Sequence, residues 1–245
     1  MGMPKLQLHD ELIKRGTHKL FEEWNAYTSG GLWTTTADGG ATAIAAGQYG
    51  ILTLSAVDSN TNRQVYVATT NSLYLITSGH ALMCEAYLQY SEANTNKANV
   101  MFGFTNSVGL GTMVDTTGEP KSSFSGAVIY KVPGGTVWKT ASSVGSTQNV
   151  TTSNLAAGGA SYVKLKIEIE PVSASIAEVT YWVNDVQLQT AGGRPGQSLI
   201  KDQLTYTSVA AMQLFVGLKN GSTTPESLLC DYVASEQQRI VFGTL

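Results

Sequence analysis

The sequence predicts an all-β fold in which two antiparallel sheets pack face to face. From about residue 51 onward, apolar and polar residues alternate with a period of two, which is the pattern of strands that bury one face. Turn-forming residues separate roughly a dozen such segments at the spacing typical of β-sandwiches. Helical patterns of about 10–15 residues do not separate the strands, which argues against alternating strand–helix units. The 245 residues suffice for one large domain of this class or two small ones.

The segment that precedes the strands is the most charge-dense part of the chain. Residues 8–24 read LHDELIKRGTHKLFEEW, and their apolar residues recur at roughly helical spacing around Gly16. This spacing predicts one or two short helical turns within an N-terminal arm that spans residues 1–28. The apolar stripe must be buried, either on its own domain or on a neighbouring subunit. Its members are therefore candidate interaction residues: Leu12, Ile13, Leu20, Phe21 and Trp24.

The sandwich itself is predicted over residues 29–239. Its first part, residues 29–50, is rich in Gly, Thr and Ala and predicts loops or irregular edge strands. The clearest strand is SYVKLKIEIE, residues 161–170, whose aliphatic residues face one way while its Lys and Glu residues face the other. Two short signals, Asn184-Asp185 and Pro133-Gly134-Gly135, predict hairpin turns.

The last predicted strand is LLCDYVAS, residues 228–235. In a two-sheet sandwich, a terminal strand commonly returns beside the first strands and protects an edge. This strand is apolar on both faces apart from Asp231, which predicts that it is covered on both sides and that the carboxylate has hydrogen-bond partners. Residues 240–245, IVFGTL, form an apolar tail that should pack either on the sandwich or on a neighbour. Its candidate contact residues are Ile240, Val241 and Phe242.

The charge of the chain bears on its partners. Charged residues make up 13% of the sequence, and the formal net charge is −3. Nucleic acid is therefore not expected as a partner, because phosphate binding needs a basic surface. No run approaches the roughly 20 apolar residues of a membrane-spanning helix, so no membrane partner is expected. The first residues also lack an apolar signal core, so Cys84 and Cys230 are expected to be free and buried, with a disulfide or a reactive thiol as alternatives.

Two neighbouring carboxylates are candidates for catalysis. Glu168 and Glu170 share one strand face, with their Cβ atoms expected roughly 6.5–7 Å apart. Retaining glycosidases need two carboxyl groups about 5–5.5 Å apart. Lys164 and Lys166 lie on the same face, which favours a solvated charge ladder. The sequence also carries no nucleophile, phosphate-loop or dinucleotide motif, so neither a catalytic residue nor a cofactor is predicted.

Candidate metal ligands are equally sparse. Asp58, Asn60 and Asn62 resemble the first half of a calcium-binding loop, but the glycine and the distal glutamate of such loops are missing. A polar turn is the favoured interpretation, with a weak cation site as the alternative. The histidines have no metal-binding spacing and indicate surface or capping roles: His9, His18 and His80. No metal site is predicted.

Aromatic side chains suggest a different kind of site, because exposed rings can stack on sugars. Trp182 lies on the polar face of its strand, opposite to Tyr181 and Val183, and is the first candidate for a sugar contact. It could equally face the second sheet or a partner subunit. The further candidates are Trp33, Tyr49 and Trp138.

The order of segments in the second half of the chain resembles that of concanavalin A-like lectin and glucanase jelly rolls. The segments that carry this resemblance are VKLKIEIE, the hairpin to VTYWVNDVQL, then MQLFVGLKNG and LLCDYVASEQQR. More narrowly, VGLKNGSTTPESLLCDYVASEQQR resembles the closing segment of tailed-bacteriophage virion proteins with this jelly roll, including capsid decoration, or cement, proteins. The resemblance covers about residues 60–239.

This resemblance implies a concanavalin A-like jelly roll in a non-enzymatic virion protein that binds and stabilises a phage shell. The expected partners are the major capsid protein and further copies of the chain, most plausibly in a homotrimer on the capsid surface. The arm and the tail are expected to make these contacts. A carbohydrate-binding module on a virion or tail is the alternative, and a glycoside hydrolase comes third.

Overall fold

The computed structural model describes residues 17–25, 27, 29–38, 50–56, 61–92, 96–114, 116–158, 161–194 and 198–238. Within these ranges the chain forms two antiparallel sheets. Sheet one has the strand order β1, β15, β5, β10, β11, β12, while β3 also pairs with β15 and β13 with β11. Its strands are β1 (Thr17–Glu22), β3 (Leu52–Ser55), β5 (Leu82–Ser91), β10 (Val163–Pro171), β11 (Ile176–Val183), β12 (Val186–Gln187), β13 (Lys201–Thr205) and β15 (Ser227–Gln238).

Sheet two has the strand order β2, β4, β14, β6, β7, β8, β9. Its strands are β2 (Trp33–Ala37), β4 (Gln64–Thr69), β6 (Ala98–Thr105), β7 (Gly126–Lys131), β8 (Val137–Val144), β9 (Thr147–Ala156) and β14 (Gln213–Asn220). In the described part of the chain, the single helical element is a 3-10 turn, Tyr206–Ser208. None of the helices seen there is long and apolar enough to cross a membrane. The prediction of a two-sheet, all-β sandwich is confirmed.

The core between the sheets follows from the period-two pattern of the strands. In β10 the aliphatic residues are buried and the alternating charged residues are half-exposed or exposed, as the sequence predicted. The β11–β12 hairpin turns at Asn184 and Asp185, whose φ values of 49° and 62° fit a two-residue type I′ turn. Gly134, with φ 78°, lies in the turn between β7 and β8, which confirms the second predicted hairpin.

The helical prediction is wrong for residues 17–22, because these residues form strand β1. Its six residues pair antiparallel with β15, from Thr17 opposite Gln238 to Glu22 opposite Val233. Leu20 packs against the core and Phe21 points outward with 60% of its surface exposed. Pairing with a long strand outweighs a local spacing that also fits a helix. The division into 1–28, 29–239 and 240–245 stays a prediction, and Leu12 and Ile13 lie outside the described residues.

The closing strand returns beside the first strands, as predicted, since β15 pairs with β1, β3 and β5. The prediction that β15 is covered on both faces is wrong, because its residues mostly alternate between buried and half-exposed. Asp231 is half-exposed and lies at a register shift between Cys230 and Tyr232. The tail residues Ile240, Val241 and Phe242 lie outside the described residues.

Sheet two is buried on both faces in its middle strands. Its outer face carries a second apolar cluster that includes Tyr66 and Phe215, and this cluster also contains Met113 and Phe124 from the connection between β6 and β7. The backbone amide of Met113 donates a hydrogen bond to the Tyr66 hydroxyl over 3.1 Å. This connection therefore covers the outer face of sheet two. The outward side chains of sheet one, by contrast, remain half-exposed along β5 and β10.

Candidate functional site on the outer face of sheet one

Four aromatic side chains form a continuous row across the outer face of sheet one. The aromatic row consists of Phe21 on β1, Tyr232 on β15, Tyr87 on β5 and Tyr162 just before β10. Successive ring centroids lie 5.4, 5.9 and 4.9 Å apart, with interplanar angles of 32°, 25° and 26°. The three tyrosines are half-buried, whereas Phe21 is exposed. Each such ring pair contributes about 0.5–1.5 kcal/mol beyond the burial of its surface.

A β-bulge in β15 aligns the row. In a regular strand, one outward residue separates two buried residues. Between the buried residues Cys230 and Val233 there are two outward residues, Asp231 and Tyr232. The register shift between Cys230 and Tyr232 accommodates the additional residue and brings Tyr232 directly opposite Tyr87. The Tyr232 hydroxyl then donates a 2.6 Å hydrogen bond to Glu85 Oε1. Burial, reinforced by this carboxylate, raises the pKa of Tyr232, so the hydroxyl remains a donor at neutral pH.

Trp182 lies on the same outer face, two strands from Tyr87. It sits opposite Lys166 in the β10–β11 register, and the Lys166 ammonium is 4.6 Å from its ring centroid. The indole N–H donates to Thr180 Oγ1 over 3.1 Å. These two contacts hold the half-buried indole in one orientation. The prediction that Trp182 points outward, away from Tyr181 and Val183, is confirmed.

The far end of this face is acidic. A concavity of about 450 Å³ is lined by Met83 and by three carboxylates, Glu168, Glu170 and Glu236. Lys166 donates to Glu168 over 2.8 Å, and Lys19 pairs with Glu236 at 3.1 Å. Glu168 and Glu170 thus lie on the half-exposed side of β10 next to lysine, as the charge-ladder interpretation expected.

The other tryptophans lie in the core. Trp24 is 0% exposed and Trp33 is 4% exposed, and their ring centroids are 4.9 Å apart. The Trp33 indole donates to Glu22 Oε2 over 3.1 Å. Trp138 is 1% exposed and meets Tyr90 edge-on. Of the two alternatives for Trp24, burial on its own domain or on a neighbouring subunit, the structure has the first. Because Trp33 and Trp138 are also buried, neither ring can contact a sugar. Tyr49 lies outside the described residues.

The candidate cysteines, histidines and loop residues are well separated where the structure describes them. Cys84 and Cys230 are free and buried, which confirms the prediction. Burial raises the pKa of Cys84 well above its ordinary value and that of Cys230 to about 12. The described ranges contain no group of three or more His, Cys, Asp or Glu side chains that could hold a metal ion. His18 lies edge-on to Tyr74, and the backbone amide of His80 closes a turn with Thr77. The backbone amide of Asn62 donates to the carbonyl oxygen of Asn220. Asp58, Asn60 and His9 lie outside the described residues.

The sequence missed most of this site. Trp182 and Phe21 were among its candidates, but the three tyrosines of the row were not. Tyr87 could have been found, since it alternates with buried residues along β5. Tyr232 could not, because only the bulge turns it outward.

Comparison with known proteins identifies the fold. No protein-family model and no curated protein sequence matches the chain. Among solved structures, the carbohydrate recognition domain of Emp47p has a TM-score of 0.55 at 11% identity, covering 91% of this chain and 95% of that domain. Peanut lectin has a TM-score of 0.56 at 11% identity, covering 91% of this chain and 98% of its own. An endo-1,3-beta-glucanase from Streptomyces sioyaensis has a TM-score of 0.53 at 13% identity, covering 98% of this chain and 99% of the glucanase chain. With two antiparallel sheets and these neighbours, the chain has the concanavalin A-like jelly-roll fold of lectins and glucanases.

Proposed function

We propose that this protein is a non-enzymatic carbohydrate-binding protein that holds glycans on the outer face of sheet one. The observation that carries the proposal is the aromatic row, with Trp182 beside it. Half-exposed rings offer apolar surface to the C–H faces and edges of sugars. Tyrosine hydroxyls, Glu85 and Lys166 lie among these rings and can exchange hydrogen bonds with sugar hydroxyl groups.

The shape of the platform favours an extended glycan over a single sugar ring. The row spans three inter-strand spacings, roughly 14 Å. The Lys166–Trp182 pair extends the surface to β11. Two of the structural neighbours, the Emp47p domain and peanut lectin, carry carbohydrate recognition or lectin in their names. Their likeness supports the proposal at the level of the fold.

A glycan array with matched variants tests this function. The wild-type chain is expected to bind a subset of oligosaccharides, and Trp182→Ala and Tyr87→Ala are expected to weaken that binding. Leu110→Ala is the control, because Leu110 is 57% exposed but lies in the segment that covers sheet two. An array that stays blank, or variants that bind as well as Leu110→Ala, would contradict the proposal.

We propose capsid decoration as the second candidate function. It is supported by the resemblance of the closing segment and by one feature of sheet one. Thr17 pairs with Gln238, so the first residue of β1 and the last residue of β15 lie side by side in sheet one. In this proposal the apolar residues of the segments 1–16 and 239–245 contact the major capsid protein of a phage shell. In this proposal the chain is a homotrimer on the virion surface.

Co-sedimentation with shells tests the second candidate. The full chain is expected to bind shells and to form a trimer in native mass spectrometry, and removal of residues 1–16 is expected to reduce both. Full shell binding by the shortened chain, or a monomer in both forms, would count against it.

A further inference from the structure

We infer that the glycan held on the outer face of sheet one is a cationic oligosaccharide built of amino sugars. This inference rests on the proposed function and names the ligand class of the same surface. It is carried by the carboxylates of that face, which outnumber its lysines and flank the aromatic row.

The charged residues of this face are unevenly matched within the part of the chain that the structure describes. Each lysine of the face forms one ion pair, at distances between 2.6 and 3.1 Å. These pairs are Lys19–Glu236, Lys164–Asp185, Lys166–Glu168 and Lys201–Glu178. The carboxylates left without an ion pair to a described residue are Glu85 on β5, Glu170 on β10 and Asp231 on β15. The face therefore carries a negative charge that the described lysines do not compensate.

Two of these unpaired carboxylates flank the aromatic row. Asp231 immediately precedes Tyr232 at the β-bulge, and Glu85 accepts the hydrogen bond of the Tyr232 hydroxyl with Oε1. Burial raises the pKa of Tyr162, and the charge of Asp231 adds to the rise. Burial, Glu85 and then Asp231 raise the pKa of Tyr232 in the same way. Both negative charges are thus close enough to act on the ring hydroxyls along which a ligand would lie.

The rings of the row favour the same sign of ligand charge. An ammonium group within about 6 Å of the centroid of an aromatic ring is attracted to the face of that ring. The Lys166 ammonium has such a position over Trp182, at 4.6 Å. Among the described residues, no ammonium lies over any of the four rings of the row. A cationic ligand would therefore meet ring faces and carboxylates that the protein itself does not use for a cation.

An oligosaccharide of amino sugars supplies both the rings and the charge. Its pyranose rings present C–H faces to successive aromatic rings along a row of roughly 14 Å. Its ammonium groups donate hydrogen bonds, and bonds to a carboxylate such as Glu85 or Asp231 are strengthened by the opposite charge. An anionic glycan would be repelled by these carboxylates. A basic peptide would match their charge, but it would not offer a series of sugar rings to the row.

Isothermal titration calorimetry with two matched ligands tests the inference. The ligands are a β-1,4-linked glucosamine tetrasaccharide and its fully N-acetylated form, which lacks the positive charges. At about pH 5.5 the amines are protonated and exposed Asp and Glu side chains are ionised. The amine form should bind about fivefold more tightly, the effect of one favourable surface charge pair. Raising the salt from about 0.1 to 1 M shortens the Debye length from about 10 to 3 Å and should remove this difference.

Matched variants locate the effect of charge. Glu85→Gln keeps an acceptor for the Tyr232 hydroxyl, and Asp231→Asn keeps the shape of the side chain. Each should weaken binding of the amine form about two- to fivefold and leave the acetylated form unaffected. Asp38→Asn is the control with wild-type affinities, because Asp38 follows β2 at the edge of sheet two and pairs there with Arg63. Tyr87→Ala should weaken the binding of both forms.

The outcomes separate this inference from the proposed function. Equal affinity for the two tetrasaccharides overturns the inference, as does binding of the amine form that Glu85→Gln and Asp231→Asn leave unchanged. If that binding still depends on Tyr87, the proposed function stands. Binding of neither tetrasaccharide overturns the inference and leaves the proposed function to the glycan array; binding of pentalysine in that case assigns the face to basic peptides. If Glu85→Gln fails to fold, Asp231→Asn decides, because Asp231 is half-exposed.

Discussion

Tyr87, within the aromatic row, should contribute more to stability than Phe21 at the end of the row. It stacks on two neighbours, Tyr162 at 4.9 Å and Tyr232 at 5.9 Å, whereas Phe21 at the end of the row contacts one ring at 5.4 Å. At about 0.5–1.5 kcal/mol per ring pair, Tyr87→Ala should lose about 1–3 kcal/mol from stacking and Phe21→Ala about half as much. The loss of apolar burial adds to both, more for the half-buried Tyr87 than for the exposed Phe21.

Urea unfolding followed by far-ultraviolet circular dichroism measures these differences. Met83→Ala serves as the control for the effect of alanine in β5, because Met83 is an outward residue of the same strand and does not belong to the aromatic row. The row also predicts a coupling pattern: Tyr87→Ala and Tyr232→Ala should be non-additive, while Phe21→Ala and Tyr162→Ala should add within about 0.5 kcal/mol. A Tyr87→Ala variant no less stable than Phe21→Ala, or additive effects of Tyr87 and Tyr232, would refute the continuous row.

Three further predictions concern the scaffold. Phe124→Ala should destabilise the fold by about 3–5 kcal/mol in urea unfolding, because Phe124 is 2% exposed within the cluster that covers sheet two; a loss below about 1 kcal/mol would mean that the cover does not pack. Glu92→Ala should cost more stability than Lys131→Met, because it leaves the Lys131 ammonium, whose side chain is 0% exposed and whose Nζ lies 2.7 Å from Glu92, buried without its carboxylate. After Lys131→Met, the Glu92 carboxylate is 18% exposed and still accepts hydrogen bonds from two backbone amides. The reverse order in the same assay would contradict this reasoning. Cys84 and Cys230 should react with a thiol reagent only after unfolding, because both are buried with raised pKa values, so rapid labelling of the folded chain at pH 8 would be the opposite result.

Much of the fold follows from local pattern. The alternation in β10 places its charged residues outward because a strand has a strict period of two. The same rule gave the outward direction of Trp182. The turn at Asn184-Asp185 follows from the tolerance of these residues for positive φ.

The rest depends on contacts between distant parts of the chain. Residues 17–22 have a spacing that fits a helix, and only the presence of β15 beside them makes them a strand. The outward position of Tyr232 depends on a bulge, which shifts the alternation by one residue and leaves no mark in composition. Phe124 and Met113 lie in a connection without periodicity, so their burial over sheet two is set by packing alone.

The most direct test of the central claim is the indole N–H spectrum of the protein during titration with a glycan selected on the array. Trp182 lies on the outer face of sheet one, while Trp24, Trp33 and Trp138 are buried at 0%, 4% and 1% exposure. We expect the Trp182 signal to shift in proportion to the bound fraction and the three buried signals to stay in place. A glycan that binds without moving the Trp182 signal, or that instead shifts the residues covering sheet two, would contradict the assignment of carbohydrate binding to this face.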